Sequence, residues 1–488
     1  MLPASKEDLR YVRCAVLPQS LMGLTASGLF YGWGALGYAI DMTFCPDDPH
    51  VFRNQHGTFT GVIILVLSVL PAFPLRVLLD KKIVSEFSTH LTGILLTLVG
   101  LVLGGISLQY RILWLLYIGC AVPCGIGAIC IFQRIIFNHQ LWVKRVGYMN
   151  LGSGFFGFTI GFWTAIFFLV SVPLLQHLEI QNVLHVYTAF VIPCSLWSLF
   201  SIDDNSIAKS DERREEQRIA ASNKEEKGVD AVAVAVEGCQ GEEVLLTYRE
   251  ICAMPQTYQL FFFFAAVLTP GWGIKLSFIS ILRVLFNASP AYSASMTSLY
   301  VSVYAVGRLC SGVAADFLGV TRTFDVMMVS MVAVLLAIPS VVASFPLYEN
   351  SPGCVLFIVL VCVLGMHYGG SKALFYSIVF EVFGAKNYRN AFSLCFTGFA
   401  LSVFVGGMSS AYSFSTATAV DDAQLQAAVV ATSQMWFYSM AGGMVFALML
   451  LHSIKPVDYQ NVLRRRARDA ANPVVLDRIV VELQHRGQ

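Results

Sequence analysis

Gly307-Arg308-Leu-Cys-Ser-Gly312-Val-Ala-Ala-Asp316-Phe-Leu-Gly319-Val-Thr-Arg322 joins two apolar runs, near 293–314 and 325–345. Its glycines and charges cluster at the boundary between them. Gly307 and Gly312 leave room for a close helix neighbour, and Gly319 permits a tight turn. Asp316 is placed to pair with a base or to sit at a neighbouring helix N-terminus. The flanking runs are each long enough to cross a bilayer, which takes about 20 apolar residues. The stretch therefore reads as a short charged loop between two membrane spans.

The rest of the chain agrees. Its 488 residues are 56% hydrophobic and only 13% charged, where a soluble domain carries about 25% charge. Mean hydropathy is +0.66. A soluble globule needs more polar surface than this, and the same figures exclude a disordered chain, a disulfide-stapled domain and a nucleic-acid binder. Apolar runs lie near 14–40, 57–78, 88–108, 113–136, 146–172 and 181–202. Six more lie near 258–283, 293–314, 325–345, 353–382, 391–414 and 430–453. The first follows Met1–Arg13, which carries acidic residues and no cleavage pattern, so it reads as a retained helix. The expectation is an all-α membrane protein of 12 transmembrane helices in two six-helix bundles. Residues 1–202 form the first bundle, 203–257 a charged linker, 258–453 the second bundle and 454–488 a tail.

The bases fix an expected orientation. Of 32 Lys and Arg, 26 fall in the N-terminal segment, alternate loops, the linker and the tail. Three (Arg53, Arg111, Arg283) fall on the other side, and three (Arg134, Lys275, Lys372) within spans. By the positive-inside rule both termini are cytosolic. No targeting peptide is recognisable, so the plasma membrane is the default location and an organelle membrane stays open.

The 307–322 stretch resembles the G-R-x-x-x-G-x-x-x-D-x-x-G-x-x-R loop signature of the major facilitator superfamily. Leu79-Asp80-Lys81-Lys82, after the second span, is a reduced copy. The resemblance implies a gate on the cytosolic side, formed by Asp80, Lys81, Arg308, Asp316, Arg322 and Glu381. A narrower likeness joins Tyr368-Gly369-Gly370-Ser-Lys372 and Glu381-Val-Phe383-Gly384-Ala-Lys386-Asn387 to the oxalate/formate antiporter-like branch, which includes monocarboxylate carriers. Tyr248-Arg249-Glu250 and Met254-Pro255-Gln256 resemble the run into that branch's seventh span. The branch resemblance implies small carboxylate substrates held by buried bases. Its oxalate members place those bases on the eighth and eleventh spans, where no base is expected here.

Charges inside spans mark function by default. Lys372 lies within the tenth span, and Lys275 within the seventh, just after Pro270-Gly271-Trp272-Gly273, a run expected to loosen that helix. No acid lies comparably deep. Two buried cations without an anion leave a deficit that a carboxylate would fill. His367 and Tyr368 are placed to hydrogen-bond that carboxylate, and His367 to carry a proton. Tyr31-Gly32-Trp33-Gly34 contributes Tyr31 and Trp33 as candidate cavity residues, with aromatic packing as the plainer reading. The same run and Cys45-Pro46 faintly resemble facilitators of large neutral amino acids.

The expected activity is secondary transport of a small organic anion, a monocarboxylate such as pyruvate, lactate or formate, with a co-transported proton or an exchanged anion. A neutral amino-acid facilitator and a non-transporting nutrient sensor are the alternatives. No enzyme, cofactor or metal site is expected, because no catalytic or metal-ligand cluster falls in the spans. Gly152-Ser-Gly154-Phe-Phe-Gly157 fits a dinucleotide fingerprint, yet it lies in an apolar span with no preceding strand. Helix packing through Gly157 and Gly161 is the better reading.

Overall fold

The structure, a computed structural model, describes residues 6–44, 55–203, 206, 244–415 and 422–470. Cys45, Arg53 and most of the charged linker lie outside the described residues, as does 471–488. In the first half the helices are α1 (Lys6–Tyr11), α2 (Leu17–Gly23), α3 (Thr25–Tyr31), α4 (Gly34–Phe44), α5 (His56–Leu67) and α6 (Ala72–Asp80). They continue as α7 (Glu86–Tyr110), α8 (Val122–Arg145), α9 (Met149–His177) and α10 (Ile180–Ser201). A short α11 (Tyr248–Ala253) leads into the second half. There α12 (Pro255–Phe286), α13 (Pro290–Leu318), α14 (Val320–Ser344) and α15 (Pro352–Cys395) are followed by α16 (Gly398–Ser415), α17 (Asp422–Ser453) and α18 (Tyr459–Ala470).

Ten described stretches are long and apolar enough to cross a membrane. One of them, Pro352–Ser413, has 62 residues and holds two consecutive spans. The first span is supplied in pieces by α2 to α4, which completes twelve. Long apolar sequence makes these helices because a backbone in lipid must satisfy its own hydrogen bonds. Polar caps set their ends. Ser289 and Ser351 accept from the amides of Tyr292 and Cys354, and Pro290 and Pro352 follow at the first helical position.

Two expectations about helix continuity are corrected. The first span is not one helix: Leu24 and Gly32 leave helical torsions at ψ 8° and ψ 1°. The seventh span is continuous, since α12 runs for 32 residues through Pro270. Its glycines serve packing instead. A side chain at Gly271 would enter the Tyr368 ring, and one at Gly273 the Trp436 ring.

The halves meet along α9 and α13, and along α5 and α16. Glycines bring the first pair into backbone contact. A Cβ on Gly154 would lie 2.7 Å from the Arg308 carbonyl oxygen, and one on Gly312 would lie 2.6 Å from that of Asn150. Gly161 meets Ala305 in the same way. The glycine run in the fifth span is thus a packing seam between bundles, and Gly312 of the 307–322 stretch is its other side. Gly319 ends α13 at φ 84°, a left-handed turn that favours glycine.

Candidate functional site

Three helices of the second half each place an aromatic ring about one turn before a base. The pairs are Trp272 and Lys275 on α12, Tyr304 and Arg308 on α13, and Tyr368 and Lys372 on α15. Helical side chains lean toward the N-terminus, so each base reaches back over its own ring. The three pairs converge between the bundles. Tyr304 and Tyr368 stack at 5.1 Å, and Trp272 meets Tyr368 edge-on at 6.1 Å. Phe399 of α16 closes the wall 5.1 Å from Trp272. From the first half Tyr31, the last residue of α3, packs 5.3 Å from Trp272 and 5.9 Å from Phe399.

The bases share these rings. Lys372 Nζ lies 4.2 Å from the centroids of both Tyr31 and Phe399, and 4.4 Å from that of Trp272. Lys275 Nζ lies 4.7 Å from the Tyr304 centroid and 4.9 Å from that of Tyr31. The Arg308 guanidinium sits 4.4 Å over Tyr304, donates to its hydroxyl, and also donates across the seam to the Gly157 carbonyl.

All three bases are buried, at 2%, 6% and 2% exposure for Lys275, Lys372 and Arg308. Five donors of the cluster have no hydrogen-bond partner: Lys275 Nζ, Lys372 Nζ, Arg308 Nε, Trp272 Nε1 and Tyr368 Oη. Among the described residues the buried acids are Asp8 and Asp41. Asp8 pairs with Arg145, and Asp41 accepts from the Gly57 amide at the start of α5. Neither is part of the cluster. Cation–π contact offsets only part of the cost of burying a base, about 2 kcal/mol or more where water is excluded. A group that accepts hydrogen bonds and carries negative charge fits what is left.

Sequence reasoning placed Arg308 at the loop gate with Asp316. The structure places it in the cluster, two turns deeper in α13, about 12 Å along the axis at 1.5 Å per residue. A usable signal was present: Tyr304 precedes Arg308 by four, as Tyr368 precedes Lys372. Lys275, Lys372, Tyr368 and Tyr31 lie together in the cluster. Trp33 is buried but lies against Gly61 of α5, outside the ring cluster. His367 is half-buried, and among the described residues its ring makes no hydrogen bond and no ring contact.

The end that carries residues 79–82 and the α13–α14 turn at Gly319 is fastened by other residues than most of those expected. Asp80 does take part, pairing with Arg76 and accepting from the Tyr248 hydroxyl. Arg76 also lies 3.7 Å from Glu86, and Glu86 lies 3.9 Å from Arg389 of the second half. Lys144 of α8 sits 4.5 Å over the Phe380 ring of α15. Lys81, Asp316, Arg322 and Glu381 are exposed and, among the described residues, form no ion pair. Lys81 follows the end of α6, Asp316 sits in the last turn of α13, Arg322 in the first turn of α14 and Glu381 within α15, around this network.

A clasp covers the same end. Asn387 accepts from the Leu246 amide and donates to the Val244 carbonyl and the Tyr459 hydroxyl. Arg466 of α18 makes two 2.7 Å hydrogen bonds to Glu250 of α11. That guanidinium draws the Glu250 carboxyl down to about 2. At the opposite end the halves part around a cavity of about 1020 Å³, lined in part by Thr43, Arg111, Phe168, Ile279 and Arg283. Ile279 is one helical turn from Lys275.

No family model matches this sequence, and no curated protein sequence matches it. Solved structures do match. A bacterial homologue of the iron transporter ferroportin, in its outward-facing state, superposes with a TM-score of 0.58 at 11% identity. The match covers 90% of this chain and 98% of that one. FucP, a Major Facilitator Superfamily transporter in the outward conformation, gives a TM-score of 0.51 at 11% identity. It covers 87% of this chain and 98% of that one. At such identity the likeness is one of fold: twelve spans in two bundles, the major facilitator architecture.

Proposed function

We propose that this chain is a secondary transporter of small organic anions, with monocarboxylates as the preferred class, working by alternating access. The observation that carries the reading is the acid-free cluster of Lys275, Lys372 and Arg308 between the bundles, with donors left unpartnered. An anion entering from the large cavity meets Lys275 first and Lys372 next. The ring walls exclude water, which strengthens both contacts. Fastening at the Asp80 end and a cavity at the other are what an outward-facing carrier requires. On this reading both termini are cytosolic, as the placement of bases implies.

Iron, which the name of one structural neighbour mentions, suits this cluster poorly, and so does a neutral sugar. A metal cation would meet three bases and no acidic ligand, and a neutral sugar would leave the bases uncompensated. A neutral amino acid would use its carboxylate alone and leave its ammonium facing like charges. Charge balance is met by exchanging one anion for another, or by a proton carried with the substrate.

Counterflow of labelled solute in proteoliposomes tests the reading over a panel of pyruvate, lactate, formate, leucine and phenylalanine. Exchange of carboxylates and not of amino acids is the expected outcome. Exchange of amino acids alone would replace the anion reading with a facilitator. Binding of a solute without exchange would make the chain a sensor.

A further inference from the structure

The Phe383-Gly384-Ala385-Lys386-Asn387 run takes no part in the central cluster. Gly384 holds φ 66° and ψ 179° inside α15, which interrupts the helical ladder. The segment from Ala385 to Cys395 therefore opens with a helix N-terminus of its own, where amide donors and the positive end of the helix dipole collect. Ala385 and Lys386, at that opening, line a cavity of about 200 Å³ whose opposite wall is α8 of the first bundle. Its size exceeds many-fold the ~10–15 Å³ that one water needs.

The wall is basic. Lys144, Lys386 and Arg389 line it, and no lining residue is acidic. Arg389 also lies 3.9 Å from Glu86, which is not in the wall. Two more wall residues, Gln140 and Tyr388, are 2% and 5% exposed. Their Nε2 and Oη atoms are buried without a hydrogen-bond partner. A helix opening, three bases and two unpartnered polar atoms thus surround one space.

We propose that this cavity is a second anion site and that it takes a phosphate or phosphate ester group. The amides of the helix opening together with the unpartnered Gln140 and Tyr388 atoms outnumber what the two oxygens of a carboxylate can accept, whereas a phosphate offers three or four acceptors and nearly two charges. Gln140 and Lys144 come from the first bundle, and Lys386, Tyr388 and Arg389 from the second. A bound phosphate bridges the bundles at the end that must part for inward release. Its occupancy holds that end shut and slows exchange.

The test is a thermal-unfolding titration of the purified full chain in detergent with inorganic phosphate. A saturable rise in Tm is expected. Lys144→Gln with Lys386→Gln should need about tenfold more phosphate, while Lys372→Gln in the central cluster should keep the wild-type response. If the double variant does not fold, Lys386→Gln alone makes the comparison, because that side chain is exposed. Nanodiscs of phosphatidylcholine, with and without phosphatidic acid, separate the sources. A rise with phosphatidic acid but not with free phosphate assigns the site to a lipid headgroup, and the converse to a soluble phosphate. The proposal is overturned by no rise with either probe, by an unchanged response in the lysine variants, or by a response lost in Lys372→Gln.

Discussion

Lys372 and Tyr31 belong to opposite bundles, and the lysine nitrogen lies 4.2 Å from the tyrosine ring centroid. The ring of one half therefore holds the cation of the other. An anion that binds Lys372 competes with that contact and loosens the grip between halves. Tyr31→Phe keeps the ring face and is expected to preserve exchange. Tyr31→Leu removes it and should change apparent substrate affinity about tenfold, a shift of about 1.4 kcal/mol. Concentration dependence of counterflow measures both.

Lys372→Gln keeps most of the volume and removes the charge. On the anion reading it cuts carboxylate counterflow at least about tenfold. Arg308→Lys is expected to be nearly as damaging. It keeps a charge but cannot serve Gly157 and Tyr304 together as the guanidinium fork does. Full activity in both variants would remove the central cluster from substrate binding.

Charge reversal tests the fastening of Glu86 to Arg389. Arg389→Glu sets two carboxylates against each other at Glu86 and should lower exchange. Adding Glu86→Arg restores an opposite pair across the bundles and should recover a large part of the rate. A double variant no better than the single would show that the pair does not hold the halves together.

Gly312→Ala puts a methyl 2.6 Å from a backbone oxygen of the fifth span, where neither side can give way. Overpacking of this kind costs about 1–3 kcal/mol, so a clear fall in Tm is expected. Gly442→Ala is the control, since nothing lies within 4 Å of a Cβ there. Equal Tm values for the two variants would mean that the seam is loose.

The tail clasp has a definite acid limit. Glu250 is drawn from 4.5 to about 2 by Arg466. A carboxyl depressed in the folded state contributes fully above its ordinary value, and that contribution is lost as pH falls toward the folded value. Protection of the α18 amides, taken relative to their intrinsic exchange rates at each pH, should therefore be unchanged between about pH 7 and pH 5, and fall below about pH 4. Glu250→Gln should show the reduced protection already at neutral pH.

The spans were legible because lipid demands long apolar runs, and a charge inside such a run stands out. Lys275 and Lys372 were found that way. Arg308 was hidden by its position near the end of the eighth run, inside a stretch that reads as a loop signature. Its tyrosine one turn earlier is the clue that apolarity does not carry. The fastening of Glu86 to Arg389 could not be read from sequence, since the two meet only through packing of the two halves. Pro270 in a continuous helix, and Leu24 at a break, show the limit of local propensity. In a bundle, what the neighbouring helices require overrides it.

Arg308 keeps its positive charge under all ordinary conditions, and among the described residues no acid pairs with it. Any reorientation of the bundles that carries it part-way through the electric field of a membrane does electrical work. A full elementary charge is worth about 2.3 kcal/mol per 100 mV. The unloaded protein should thus respond to voltage, and a monoanion in the cluster should blunt that response. Charge moved per cycle, recorded on a solid-supported membrane, would then count the charge on the cargo without its being identified.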